Sequence, residues 1–183
     1  MNLPPLDKIP LILRPQAWLH RLHYGEVLSP ILWWGRIPFL FYLVSMFVGY
    51  LERKRGPLNP VIRSLVSARI AQLCLCEFCV DLTNLKVAER TNSMDKLMAL
   101  SEWRNSALFS DSERLALAYA EAMTSTPPLV DDAMRTELTN SFSPQALTEL
   151  TALIGLQNLS ARFNSAMAIP SQGLCKMPEK TSS

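Results

Sequence analysis

Residues Val61–Thr126 read VIRSLVSARIAQLCLCEFCVDLTNLKVAERTNSMDKLMALSEWRNSALFSDSERLALAYAEAMTST, 66 residues without a glycine or a proline. An α/β or all-β chain would need several turns in such a span, and turns draw heavily on those two residues. Alanine, leucine, methionine, glutamate, arginine and lysine are frequent here and favour helix. The stretch therefore predicts an all-α fold. With only 6 glycines in the 183 residues, the chain has no glycine loop to cradle a phosphate. That argues against a doubly wound dinucleotide fold.

Local signals divide the stretch and its flanks into helices. After the turn Gly56-Pro57-Leu58-Asn59-Pro60, an apolar stripe at spacings of three and four (Val61, Ile62, Leu65, Val66, Ile70, Leu73) predicts a helix to about Leu75. A second helix runs from the cysteines to about Arg90. Ser93 is placed to cap a short helix, and Ser110-Asp111-Ser112-Glu113 reads as a capping box opening another. Asp131 or Asp132 starts the next. Ser143-Pro144, a cap followed by proline at the first helical position, opens the last, to about Met167.

Six of the 13 prolines fall in residues 1–38. The organisation predicted is an extended N-terminal arm over 1–36 with one short helix around Gln16–Tyr24, a helical domain over 37–170 and a loose polar tail over 171–183. The arm carries Leu13, Trp18, Trp33 and Trp34, and is expected to wrap its own domain or a neighbouring subunit. The uncharged run Ile37–Leu51 spans about 22 Å as a helix, short of the roughly 30 Å of a bilayer core. It reads as a buried or subunit-interface helix rather than a membrane span.

Composition narrows the function classes. Hydrophobic residues make up 49% and charged residues 19% of the chain, which excludes a disordered protein. A dispersed net charge of +2 gives no footprint for nucleic acid. The opening MNLPPLDKIP has an acid and three prolines rather than a basic segment followed by an apolar one. The expected compartment is therefore the reducing cytoplasm.

Chemistry concentrates at Cys76 and Cys79, in CEFC. Three residues apart on a helix, their side chains share a face. At a helix N-terminus, unpaired N–H groups and the macrodipole favour a thiolate on the first cysteine. A thiolate beside a second thiol suits two-electron reduction of a peroxide, in which a sulfenic acid forms and then condenses to a disulfide. The same two residues also suit plain packing as small hydrophobes. Cys74, Cys76, Cys79 and Cys175 lack the spacing of a zinc site, so no metal and no cofactor is expected. His20 and His23, the only histidines, read as exposed or packed arm residues.

The run Leu65–Glu89, with Arg69, Ala71, Leu73, Cys76 and Cys79, resembles the core motif of the carboxymuconolactone decarboxylase / alkylhydroperoxidase D-like family. ERLALAYAEAMT (113–124) and RFNSAMAIPSQGLC (162–175) resemble its later helices and tail. The resemblance covers about Ile37–Cys175. It implies a helical domain assembled as a homo-oligomer, trimer or hexamer. It also implies reduction of organic hydroperoxides by the cysteine pair, with a dithiol partner as reductant.

In the peroxidases of that family a glutamate twelve residues before the first cysteine and a histidine four after the second form a proton relay. Here those positions hold Ser64 and Thr83. General acid–base help is worth about 10²–10⁴-fold, so the substitutions imply slow turnover, or a redox sensor, small-molecule binder or scaffold in place of a fast enzyme. Glu77, Asp81 and Arg69 are the nearest replacement groups. Glu77 lies between the cysteines. Asp81 sits about 200° around the helix from Cys79, able to act on a neighbouring helix or subunit. Arg69 would lie two turns down on the Cys76 face if the helix ran on unbroken, where it would lower a thiol pKa.

Overall fold

The computed structural model describes residues 3–175, and among them there are helices and no strand. The α-helices are α1 (Arg14–Tyr24), α2 (Ile31–Trp34), α3 (Pro38–Leu51), α4 (Pro60–Leu73), α5 (Glu77–Thr91), α6 (Met94–Met98), α7 (Asp111–Thr124), α8 (Asp132–Ser141) and α9 (Pro144–Ala166). Short 3-10 turns cover Leu11–Leu13 and Leu100–Asn105.

The helix starts follow the caps read from sequence. The Ser110 hydroxyl accepts from Glu113 N while the Glu113 carboxylate accepts from Ser110 N, a complete capping box. Ser93, Asp131 and Ser143 cap α6, α8 and α9 through the N–H three residues on. Each such cap is worth about 1 kcal/mol.

Helix α4 is the axis of the molecule, packed against α5, α7 and α9. Its sequence suggests one apolar stripe, yet it is buried nearly all round, including Ser64, Ser67, Ala68 and Ala71. These small residues let neighbouring helices approach on the sides the large residues leave free. Ile62, Val66 and Ile70 pack into a cluster with Ala116 and Ala120 of α7 and Leu150, Leu153 and Ile154 of α9. Leu65 and Ala68 face Val87, Leu97, Trp103 and Leu117.

A buried charge cluster pins α4 and α9 together. Arg63, 1% exposed, donates to the Glu149 carboxylate at 2.9 Å, and Arg53 donates to its other oxygen. Gly56 lies against this cluster. A Cβ there would sit 3.0–3.1 Å from Arg53, Arg63 and Glu149 atoms.

The arm folds back on its own domain. Leu13, Ala17 and Ile31 are buried with Trp34 and Phe41, and the Trp34 ring stacks on Phe163 at 3.8 Å between centroids. Leu6 N donates to Leu32 O, and Trp33 Nε1 donates to Leu3 O. The sequence reading missed α2, a single turn in a proline-rich segment. No helix among the described residues is long and apolar enough to cross a membrane. Much of α3 and α1 nonetheless faces outward with Phe39, Met46, Tyr50, Trp18 and Leu22 exposed.

The expectation of a loose tail is corrected for residues 171–175, which are hydrogen-bonded to α5 and to the arm. Residues 176–183 lie outside the described residues.

Candidate functional site

Two tight turns build the site. The first ends α4. Leu75 N donates to Gln72 O and Cys76 N to Ala71 O, closing a Schellman motif around Leu75 at φ 51°. The helix stops at Leu73, and Cys76 takes an extended conformation as the N-cap of α5. Its Sγ accepts the Cys79 backbone N–H at 3.2 Å, where a helix N-terminus stabilises negative charge. Cys76 and Cys79, with Cα atoms 5.2 Å apart, are joined as a disulfide.

The second turn ends α9. Ala168 N donates to Ser165 O and Ile169 N to Asn164 O, with Ala168 at φ 51°. It brings Ile169 back into an apolar cluster with Cys76, Cys79, Leu28, Trp33, Phe78 and Ala161. Cys76 is fully buried and Cys79 is 4% exposed. The Cys79 Sγ accepts from Asn164 Nδ2 at 3.4 Å, and Asn164 Oδ1 in turn accepts from Trp34 Nε1 at 2.9 Å. Asn164 thus touches the disulfide, with its amide orientation fixed from the arm. Sequence reasoning missed it, since it stands 85 residues from Cys79 with no local pattern to mark it.

Arg69 lies on the far side of the break in the helix. It donates to Glu121 at 2.6 Å and to Gln72 at 3.1 Å. The expectation that it shares a face with Cys76 is corrected, because the Leu75 turn ends the helical register between them. Glu121 is held below the usual carboxylate range: burial pushes it up, but Arg104, Trp103 and Arg69 together outweigh that. Glu77 is exposed in the first turn of α5.

Thr83 donates to the Cys79 carbonyl at 2.6 Å, within its own helix. Ser64 donates to Pro60 O and accepts from Arg90 at 2.8 Å. The other arm of Arg90 holds Glu52, which Lys86 also reaches at 3.2 Å. Burial alone would raise the Glu52 pKa, and Lys86 and Arg90 hold it below its ordinary value.

Asp81 is the accessory residue whose place is most informative. Buried on the second turn of α5 (7% exposed), it pairs with no cation among the described residues. Its carboxylate accepts from Ser171 Oγ (2.9 Å), Gln172 N (2.9 Å), Leu174 N (3.0 Å) and Cys175 N (2.8 Å). Burial pushes its pKa up, but the four donors outweigh this and hold it below the ordinary value. The expectation of a role toward a neighbouring helix or subunit is corrected: the Asp81 carboxylate grips the non-helical segment 171–175 of its own chain.

Of the remaining candidates, Cys74 packs against the disulfide cluster. Cys175 packs against the Leu65–Trp103 cluster rather than the disulfide cluster, and its thiol pKa is raised by burial and by Asp81. Cys74 is half-buried, with its pKa raised by burial against the pull of Arg162. It lines a cavity of about 370 Å³ with Leu73, Thr124, Arg162, Ser165 and Ala166, which neither Cys76 nor Cys79 reaches. His20 accepts from Leu28 N at 3.4 Å, and its pKa is lowered by burial and by His23.

The carboxymuconolactone decarboxylase family model matches residues 43–122. The chain is 79% identical over 182 residues to the uncharacterized protein YnjA of Escherichia coli (strain K12), covering 100% of each. Among solved structures, the debrominase Bmp8 in its apo form superposes with TM-score 0.80 at 22% identity, covering 93% of this chain and 91% of that one. An alkylhydroperoxidase AhpD core protein, peroxidase-related and from Ralstonia eutropha JMP134, superposes with TM-score 0.81 at 15% identity, covering 95% and 96%. The chain belongs to the carboxymuconolactone decarboxylase / alkylhydroperoxidase D-like family. At these identities the solved neighbours carry the fold.

Proposed function

We propose that the protein is a thiol-dependent peroxidase or disulfide oxidoreductase that cycles Cys76 and Cys79 between dithiol and disulfide. The observation that carries this reading is a cysteine pair closed on itself at a helix N-terminus. In the reduced form one thiolate attacks the terminal oxygen of a hydroperoxide. The S–O bond forms, the O–O bond breaks, and the departing alkoxide takes a proton to leave as an alcohol. The second thiol then attacks the sulfenic sulfur, releasing water and forming the disulfide. Two thiol equivalents from a dithiol reductant return the pair to its starting state and leave oxidised themselves.

The peroxidase-related and debrominase neighbours support an enzyme on this fold in general. The positions of Ser64 and Thr83 favour a second reading, that of a redox sensor with slow turnover. Both hydroxyls are bonded to backbone within their own helices, leaving neither as an evident acid–base partner for the sulfurs.

The exposed apolar face of α3 and α1 supports assembly with further copies of the chain, as a trimer or hexamer. Sedimentation at micromolar concentration checks this, and a monomer there would remove it.

The functional test is oxidation of the reduced protein by cumene hydroperoxide. Loss of two thiols per chain is expected, with turnover when a dithiol is supplied. Cys76→Ser and Cys79→Ser should each abolish turnover, and the variant that keeps the attacking sulfur should stop at a sulfenic acid. Reversible disulfide formation without turnover in the wild type supports the sensor. A pair that no hydroperoxide oxidises defeats both readings.

A further inference from the structure

The disulfide is walled in, and its walls differ in kind. Ala71 of α4, Phe78 of α5, Ala161 of α9 and Trp33 of α2 belong to helices packed into the body of the fold. The other cover is irregular chain. Ile169 is buried in the same cluster, with Leu174 packed against it. Between them the chain is held by side-chain anchors. Asp81 collects the hydroxyl of Ser171 and the backbone N–H groups of Gln172, Leu174 and Cys175. The Gln172 side chain accepts from Ser29 N at 2.6 Å and donates to Glu26 and to Val27 O. That ties the segment to the loop carrying Leu28, which also covers the disulfide.

A helix wall opens only by breaking its own ladder and its packing together. A strap held by one carboxylate and one amide side chain opens by losing those bonds and the packing of Ile169 and Leu174, with no helix ladder to break, and segments with few internal bonds open first. The gap it would leave is lined by Leu28, Trp33, Ala71, Phe78 and Ala161, with Asn164 as the polar group against the Cys79 sulfur. Such a lining accepts a hydrocarbon body and penalises a charge.

We propose that residues 169–175 are the movable wall of the Cys76–Cys79 site and that Asp81 and Gln172 are positioning residues holding it shut. This inference rests on the dithiol–disulfide cycle proposed above. Asp81 takes no part in proton transfer. It sets how often the sulfurs are reachable.

The test uses the full chain in its oxidised form and follows reduction of the disulfide by dithiothreitol without denaturant. Asp81→Asn and Gln172→Ala should each speed reduction about tenfold, the scale of losing charge-assisted or paired hydrogen bonds on the strap. The amides of Gln172, Leu174 and Cys175 should exchange with solvent faster by the same factor. Leu138→Ala, in the α4–α7–α9 cluster, lowers global stability and should leave the reduction rate as in the wild type. Asp81→Asn should likewise speed oxidation of the reduced protein by cumene hydroperoxide. Gln172→Ala keeps the test decisive if Asp81→Asn folds poorly.

Equal reduction rates in all four proteins would overturn the strap while leaving the redox cycle standing. Acceleration by Leu138→Ala as large as by Asp81→Asn would also overturn it, since access would then run through global unfolding. Faster reduction in the strap variants, with no reoxidation by cumene hydroperoxide, would support the gate and remove the peroxidase reading. Reduction only in denaturant for every protein would defeat the strap and the cycle together.

Discussion

Glu149 and Asp81 are both buried carboxylates, 6% and 7% exposed, and the molecule satisfies them in opposite ways. Glu149 sits between helices and is met by two guanidinium groups, those of Arg63 and Arg53. Asp81 is met by a hydroxyl and three backbone N–H groups, all from the tail. A charge paired inside the bundle can be released only by taking the bundle apart. A charge solvated by the dipoles of a non-helical segment can be released by lifting that segment, with the helices left standing. The first arrangement serves global stability and the second a local equilibrium.

The largest effect expected tests the bundle side. Glu149→Ala leaves the Arg63 guanidinium buried without its carboxylate, a loss of roughly 3–5 kcal/mol in global stability. Urea denaturation reads this directly. A loss under about 1 kcal/mol would mean that water reaches Arg63, and the contrast between the two carboxylates would collapse.

Asp81→Asn tests the other side at a smaller scale. Asparagine keeps one acceptor oxygen and turns a second N–H donor toward the strap's own donors. The local cost is about 1–3 kcal/mol, with the global urea midpoint nearly unmoved. The pH dependence follows from the depressed pKa. Asp81 holds the strap fully above its unfolded-state pKa, and that contribution fades as pH falls through the lower folded-state value, below the ordinary 3.8. Strap amides should therefore keep their protection at pH 6 and lose it in stronger acid, while the core of α4 still resists exchange. Loss of protection near neutral pH would show that the carboxylate is not the anchor.

What could be read from the sequence divides along the same line. Ser110, Ser93 and Ser143 announce helix starts because a cap and its target N–H lie three residues apart. The cysteine pair is legible for the same reason. The Asp81 latch spans 90–94 residues and the Asn164 contact 85, and no local pattern encodes either. The tail looked loose because it is polar, yet its backbone N–H groups, common to every residue but proline, are what bind Asp81. Arg69 reads as two turns from Cys76 on one face only if the helix runs on unbroken, and nothing in QLCLC signals a left-handed residue. A glycine at position 75 would have signalled it.

That position supplies the smallest and most local test. At Gly56, a Cβ would crowd the Arg53, Arg63 and Glu149 side chains at 3.0–3.1 Å, and glycine is present. At Leu75, beside the disulfide, the backbone at φ 51° favours glycine, yet leucine stands there, 81% exposed. A left-handed conformation costs a non-glycine residue about 1 kcal/mol or slightly more, and so exposed a side chain returns little of that through burial. The added freedom of glycine in the unfolded chain takes back part of the gain. Leu75→Gly should thus raise stability by about 0.5 kcal/mol in a urea titration and leave the dithiothreitol reduction rate unchanged, because the wall that opens is the strap rather than this turn. A faster reduction in Leu75→Gly would move the entrance to the α4–α5 turn and make Leu75, rather than Asp81, the residue that guards the sulfurs.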